Sequence, residues 1–396
     1  MKRLFLNFMV VAVAATALVL TSCGSDDNNG DKPENSIVVN GNTLRGTLTE
    51  NEILEAKEYY LDGSLIIADG GVLTIPAGTT IKAKQGFGNY LLVTQGGRIY
   101  ANGTKEKPIT FTADAVQPSS GYWGGVIING KAPISGISQN ASDLGLTEIN
   151  NDYQYGGSIT NDNSGSLTYV KICYAGARST ENIEHNGLTL NGVGNGTKID
   201  NIYILESADD AVEFFGGTVN VTNLLAVNPD DDMFDFTQGY SGKLSNCYGI
   251  WENRYTSTED DPRGIEADGN LDGDGEDHLR QANLIVENMT IVNNAADTQN
   301  KVDRMVDVIK IRRGAKATIS NVLIAGTGGT QDLIDMTDSK GDGNVTSSIT
   351  YTLASTFTVH DKVLNGTANV AANNSCTGAA ISVFGWTNYT FPILVH

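Results

Sequence analysis

The chain has 396 residues, 18% of them charged, and a formal net charge of −20. Such an acidic surface excludes nucleic acid and anionic membrane as electrostatic partners and favours cations or neutral sugars. The 4 cysteines make no disulfide framework, and 45 glycines beside only 8 prolines, with no sustained helical period, indicate short β-segments joined by many turns.

Lys2 and Arg3 open the chain, and an apolar run from Leu4 to Leu20 follows, broken only by Asn7 and Thr16. It ends in Leu20-Thr21-Ser22-Cys23. A basic start, a short apolar core and small residues before a cysteine make a lipoprotein signal peptide. The reading predicts removal of residues 1–22 and acylation of the Cys23 thiol, and multiple acyl chains would hold the protein stably on a membrane. Losing Lys2 and Arg3 takes the net charge from −20 to −22. Residues 23–42 begin Gly-Ser-Asp-Asp-Asn-Asn-Gly-Asp after the cysteine and predict a flexible acidic tether. Within it, Ser25-Asp26-Asp27 resembles the export signal of surface lipoproteins in Bacteroidota. That resemblance implies the outer membrane, facing the medium.

Residues 43–396 carry an internal repeat of about 22 residues. Lys198–Gly217, KIDNIYILESADDAVEFFGG, aligns with Asn220–Gly239, NVTNLLAVNPDDDMFDFTQG. The first half recurs as LSNCYGI, VENMTIV and ISNVLIA, and the second as GIEAD, VIKIR and LIDMT. Units this small bury a core only by stacking. The period fits an all-β parallel β-helix, a single elongated solenoid domain, and is too short for a propeller blade. Looser coils precede the repeat, in LIIADGGVLTIPAGTTIKA and LLVTQGGRIYANGTKEKPITFTA.

The alignment predicts two columns. Asn201, Asn223, Asn246, Asn288 and Asn321 each precede a short apolar strand. They read as an inner asparagine ladder, because Asn tolerates left-handed turns and stacked amides bond from coil to coil. The second column holds Glu213, Asp235, Glu266, Lys310 and Asp335, each flanked by apolar residues. Strand alternation turns the flanks inward and the column outward, with neighbours about 5 Å apart. Stacked like charges require a cation, shared protons or solvated, splayed side chains. Lys310, next in line after Glu266, is expected to neutralise part of the column. Twelve residues separate asparagine from column residue in the first two coils, but 20 before Glu266 and 22 before Lys310. The extra residues must bulge beside the column, where solenoids often bind ligands. The candidate ligand-binding set is therefore Asp210, Glu213, Asp232, Asp235, Arg263 and Glu266.

Asp268-Gly-Asn270-Leu-Asp272-Gly-Asp274-Gly-Glu276 has the alternating oxygens of a calcium loop. Leu279 stands where the bidentate Glu of such a loop belongs, and no helical pair flanks it. Calcium is the one cofactor this spacing brings into view, and no organic-cofactor motif occurs. An enzyme would draw on Glu213, Asp235, Glu266 and Lys310. Stacked carboxylates suit glycoside hydrolysis, while a lyase would use calcium with Lys310 or Arg312 as base. His185 stands alone, and the polygalacturonase pattern of Gly-His-Gly with Arg-Ile-Lys is absent. Tyr122, Trp123, Tyr153, Tyr155, Trp251 and Tyr255 fall in or near polar segments; Trp123 and Trp251 read as core.

The segments GGVLTIPAGTTIKA, GGRIYANGTKEKPITFTA, YWGGVIINGKAPI, NGLTLNGVGNGT, DDAVEFFGGTVN, DDMFDFTQGYSGK, GIEADGN and FGWTNY resemble a family of β-helix surface lipoproteins of Bacteroidota. The resemblance spans roughly residues 45 to 390. It implies a right-handed parallel β-helix on the outer surface and supplies no catalytic residues. The function expected is ligand binding or adhesion on the β-helix, with a glycan as ligand. The alternatives are a polysaccharide lyase or glycoside hydrolase, and a structural component that partners an outer-membrane protein.

Overall fold

The computed structural model describes residues 36–180, 183–296 and 305–394. The expected signal peptide, the expected acylation at Cys23 and the Ser25-Asp26-Asp27 motif lie outside the described residues. The chain divides into Met1–Glu34 and Asn35–His396, and the second unit is a parallel β-helix. Its fold starts within the segment expected to be a tether: Val38–Val39 pairs antiparallel with Thr43–Leu48.

Each coil contributes to three parallel ladders. One ladder, the site face, runs through Leu91–Val93, Val126–Asn129, Leu188–Asn191, Val212–Phe215, Phe234–Thr237, Arg263–Asp268, Met305–Arg312 and Gly329–Asp335. The other two ladders share long strands, Lys198–Leu205, Asn220–Val227, Lys243–Trp251, Asn283–Asn293 and Lys316–Ala325. Each long strand folds over a corner at one residue. That residue is the repeated asparagine, with φ between 53° and 58° at Asn201, Asn223, Asn246, Asn288 and Asn321. A left-handed corner is costly for most L-residues and tolerable for asparagine. This is why an asparagine recurs at the corner of these five strands.

The ladder is not inside the solenoid as the spacing implied. A residue at an outward bend points its side chain away from both strands. Asn201 is buried, whereas Asn288 is exposed. Two amide-to-amide bonds form: Asn246 donates to Asn223 at 2.8 Å and Asn321 to Asn288 at 2.7 Å. The C-terminal segment takes up two further acceptors. The backbone N–H of Thr377 donates to Asn321 Oδ1 and that of Ala380 to Asn246 Oδ1. The following turn, Ile381–Thr387, lays Phe384 and Trp386 against Tyr203, Leu225, Tyr248 and Val292. Lys171 Nζ donates to the Thr387 carbonyl at 2.9 Å and lies over the Trp386 ring. An apolar patch on the outside of one ladder is thereby covered by the chain's own end.

Inside, like side chains stack from coil to coil. Phe214 and Phe236 stack with centroids 5.0 Å apart, and Tyr240 lies 4.6 Å from Phe214. Trp123 and Trp251 are core residues, each donating its indole N–H to a carbonyl, of Cys173 and of Pro229.

Candidate functional site

The site face presents outward columns whose members follow from the pairing register. Glu213, Asp235, Glu266, Lys310 and Asp335 are successive partners. Their apolar flanks, Val212 to Met336, are fully buried. Three residues earlier in each coil stand Asp210, Asp232, Arg263, Asp307 and Asp332, the last three in direct register. Two residues after the central column stand Phe215, Thr237, Asp268 and Arg312.

The column is not a solvated stripe. Loops arch over it. The hairpin Leu144–Leu146 with Gln154–Gly156 stands on one side, and its neighbouring loop bonds to the segment around Leu279 through Gly136. Arg280 fastens the same two loops, reaching the Ile134 and Ser138 carbonyls and Asp143. Arg178, on the strand Arg178–Thr180, ties Glu184, Glu259 and the Ala208 carbonyl together. Beneath these loops lies a cleft of about 450 Å³ lined by Leu146, Tyr155, Phe215, Leu271 and the carboxylates of the column. It continues into a wholly polar end of about 230 Å³ around Asp209, Asp210, Asp231 and Asp232.

Charge is distributed unevenly along the cleft. From the coil of Arg263 onward, Glu266, Asp268, Asp307 and Asp335 each have a cation, while Asp332 accepts the Lys362 N–H. Arg263 pairs with Glu266 and Asp261 and lies 3.5 Å from Asp307. Arg312 pairs with Glu266 and, at 2.6 Å, with Asp268. Lys310 pairs with Asp335 and lies 3.8 Å from Asp307, so it does not serve Glu266 as its place in the column implied. The two arginines take that role because their longer forks reach back along the face.

The two coils before Arg263 lack such partners. Asp209, Asp210 and Asp231 bring ligand oxygens within 4.8 Å of one another, and so do Asp210, Glu213 and Asp235. Asp231 Oδ1 and Asp235 Oδ1 are buried with no hydrogen-bond partner. Burial, reinforced by Asp235, holds the Glu213 carboxyl protonated well above the usual carboxylate range. Burial raises Asp235 as well, opposed by the hydrogen bond it shares with Glu213. Burial pushes Asp231 up to about 7. Burial followed by the neighbouring Asp209 raises Asp210, and burial followed by Asp231 raises Asp232. Asn186 donates to Glu213 Oε2 at 2.6 Å, which fixes that carboxyl's orientation.

Asp210 and Asp232 also have a structural task. Asp210 Oδ1 accepts the Asp232 N–H, and Asp232 Oδ1 accepts the Arg263 N–H, so each binds the next coil's turn.

The sequence-predicted ligand set is thus brought together in one cleft. The calcium-type loop is placed differently. Asp268 faces Arg312 and Arg313, Asp272 is exposed and 3.5 Å from Arg313, and Asp274 lies 3.1 Å from Lys340. Asn270 Oδ1 accepts the Gly275 N–H. Asp272 has a left-handed φ of 47° in the turn Leu271–Gly273. The spacing put the oxygens in order, but the turn fans them toward basic side chains. Among the described residues, none of the acidic groups with clustered ligand atoms includes residues 268–276. Lys310 belongs to a third such group, Asp307, Asp332 and Asp335, as its internal cation.

Several lining residues were not legible as site residues. Glu148 and Glu184 face the column from the loops. Asp209 and Asp231 read only as parts of polar turns. The long segment between Val126–Asn129 and Gly165–Cys173 was the available signal for Glu148. Of the aromatics, Tyr155 enters the cleft wall, with its hydroxyl donating to Gln238 Oε1. His185 is a core residue against Phe87 and Tyr90, and burial lowers it to about 4.

Residues 46–388 match the family model described as a pectate-lyase-like β-helix domain. The chain belongs to that family. Among solved structures it is similar to the catalytic domain of a GH87 alpha-1,3-glucanase in complex with tetrasaccharides, at 11% identity and a TM-score of 0.31. That alignment covers 83% of this chain and 62% of the other. It is also similar to tailspike protein 2 of the Escherichia coli O157:H7 bacteriophage CAB120, at 9% identity and a TM-score of 0.26, covering 81% of this chain and 43% of the other. The chain therefore spans less than two thirds of either structure. No curated protein matches it.

Proposed function

We propose that the cleft over the carboxylate column binds a glycan chain. The observation that carries this is the combination in one cleft of about 450 Å³ of apolar walls, from Leu146, Tyr155, Phe215 and Leu271, with a floor of hydrogen-bonding carboxyls. Sugar rings offer apolar faces and hydroxyl edges, and a concave site with few apolar surfaces and convergent polar groups suits both. The membership in a pectate-lyase-like family supports a polysaccharide ligand. On a glycan array the protein is expected to retain a small set of related oligosaccharides, and Phe215→Ala is expected to weaken them at least tenfold. Uniform absence of signal would remove this reading.

A second reading is favoured by one observation. The carboxyl oxygens of Glu213 and Asp235 come within 4.8 Å of each other on the cleft floor, and two neighbouring carboxyls are what glycoside hydrolysis uses. If the bound glycan is cleaved, Glu213→Gln should lower the release of reducing ends by a factor of about 10² to 10⁴ while binding persists.

The surface location is part of the proposal. Acylation at Cys23 would place the cleft on the outer face of the outer membrane, where polymers too large to enter the cell are met. Metabolic labelling with a fatty-acid probe should mark the native chain and spare Cys23→Ser; equal labelling of both would rule the anchor out.

A further inference from the structure

The polar end of the cleft has a charge pattern that narrows the ligand further. Ten carboxyl side chains and two guanidinium groups line it. Both guanidinium groups are engaged. Arg263 serves Glu266, Asp261 and Asp307, and Arg312 serves Glu266 and Asp268. Arg263 Nε makes no hydrogen bond but lies 3.5 Å from Asp307, so neither guanidinium is without a carboxylate, and a uronate placed here would add one more acid to ten.

We propose that this end receives the ammonium group of a cationic, amino-sugar-containing glycan, seated among Asp209, Asp210 and Asp231. The inference rests on the reading of the cleft as a glycan site and names its ligand class. Three observations support it. The three carboxylates bring oxygens within 4.8 Å of one another. Charge-assisted N–H to O bonds of about 2.8 Å directed tetrahedrally from one nitrogen place their acceptors roughly 4.6 Å apart. An ammonium has three N–H donors, one for each carboxylate. Next, Asp231 Oδ1 is buried and unpartnered beside the polar end, and Asp235 Oδ1 is likewise unpartnered one step along the face. A buried acceptor without a donor is the feature a cationic donor would complete. Last, the acid end opens into the part walled by Tyr155, Phe215 and Leu271. A chain can thus lay its ring faces on the apolar wall while an amino group reaches the acids. A bare calcium ion asks for six to eight oxygens around one small point, whereas this end is an open volume of about 230 Å³.

Burial that favours the protonated acids adds a signature. Seating an ammonium there would drive protons off the carboxyls, so binding should release protons to the buffer.

The test is calorimetry on the full chain with three oligosaccharides of equal length: a glucosamine oligomer, its N-acetylated counterpart and an oligogalacturonate. Each is measured with chelator and with calcium. The glucosamine oligomer is expected to bind at least tenfold tighter than the N-acetylated one, with proton release and an affinity that falls as salt is added. Asp231→Asn and, separately, Asp209→Asn should bring that preference toward unity; either variant suffices if the other fails to fold. Equal affinity for the amino and N-acetylated oligomers would overturn the cationic assignment and leave the glycan cleft standing. Tighter binding of the oligogalacturonate, alone or through calcium, would also overturn it. Failure of every sugar, here and on an array, would instead remove the glycan reading itself.

Discussion

An Arg263→Ala chain is expected to lose about 3–5 kcal/mol of stability at neutral pH, the usual cost of removing one member of a buried ion pair. The Arg263 side chain is 5% exposed and faces Glu266 at 9% and Asp307 at 3%. Its backbone N–H meanwhile donates to the Asp232 carboxylate. Without the guanidinium, Glu266 keeps only Arg312, and Asp307 keeps only Lys310 at 3.8 Å. Both carboxylates are then left under-compensated in a site that water reaches poorly. Arg263→Lys should recover part of the loss and not all of it, since a single ammonium cannot span carboxylates that a planar fork reaches together. Urea unfolding of the variants reads this directly. A loss below about 1 kcal/mol for the alanine variant, the range of a surface pair, would mean that the network is solvated and the cleft floor is not dry.

The cleft should also make the protein less stable as pH rises. The sign follows from where the protons sit. Burial raises the folded-state pKa of Asp231 to about 7 and raises Asp210, Asp232 and Glu213 well above their ordinary values. An unfolded chain releases those protons near pH 4. Between the two values the folded state binds more protons, so stability falls with increasing pH. The contribution is complete below about pH 4 and, for Asp231, is lost as pH rises through about 7. Asp231→Asn keeps the shape and removes the titration. Relative to the native chain it should gain on the order of 3 kcal/mol between pH 4 and pH 8. Melting temperature against pH, for both proteins, tests this. A native curve that is flat or rising from pH 5 to 8, or a variant curve parallel to the native one, would show that these carboxyls are ionised and solvated.

These two effects come from one uneven face. Arginines enter the columns at residues 263 and 312, and the coils before them have none. A stable fold would pair the acids throughout. Leaving Asp210, Glu213, Asp232 and Asp235 without an ion-pair partner is an unfavourable local arrangement of the kind that proteins keep at functional sites.

Much of the architecture was legible in the primary structure. The repeat of about 22 residues, the asparagine before each apolar strand and the run Val-Glu-Phe, Phe-Asp-Phe, Ile-Glu-Ala determined a stacked parallel solenoid and the column Glu213, Asp235, Glu266, Lys310. They do so because parallel stacking converts sequence period into spatial neighbourhood: residues one repeat apart must touch. The identity of the corner residue was largely local, since a left-handed φ favours asparagine, although Tyr169 takes the same corner with φ 52° one coil before Asn201.

Only the tertiary structure decided which charges meet. Period places Lys310 beside Glu266, but side-chain length and the i, i+3 spacing of Arg263 and Glu266 let Arg263 and Arg312 take Glu266 and leave Lys310 to Asp335. The same holds for the loop after Asp268, whose spacing names calcium while the fold brings Arg313 and Lys340 to its carboxylates. It holds most of all for the roof. Glu148, Tyr155 and Glu184 come from loops outside the repeat, and burial beneath those loops raises the column acids above the ordinary carboxylate range. Register is a property of the repeating chain, whereas desolvation is a property of whatever the non-repeating chain lays on top of it.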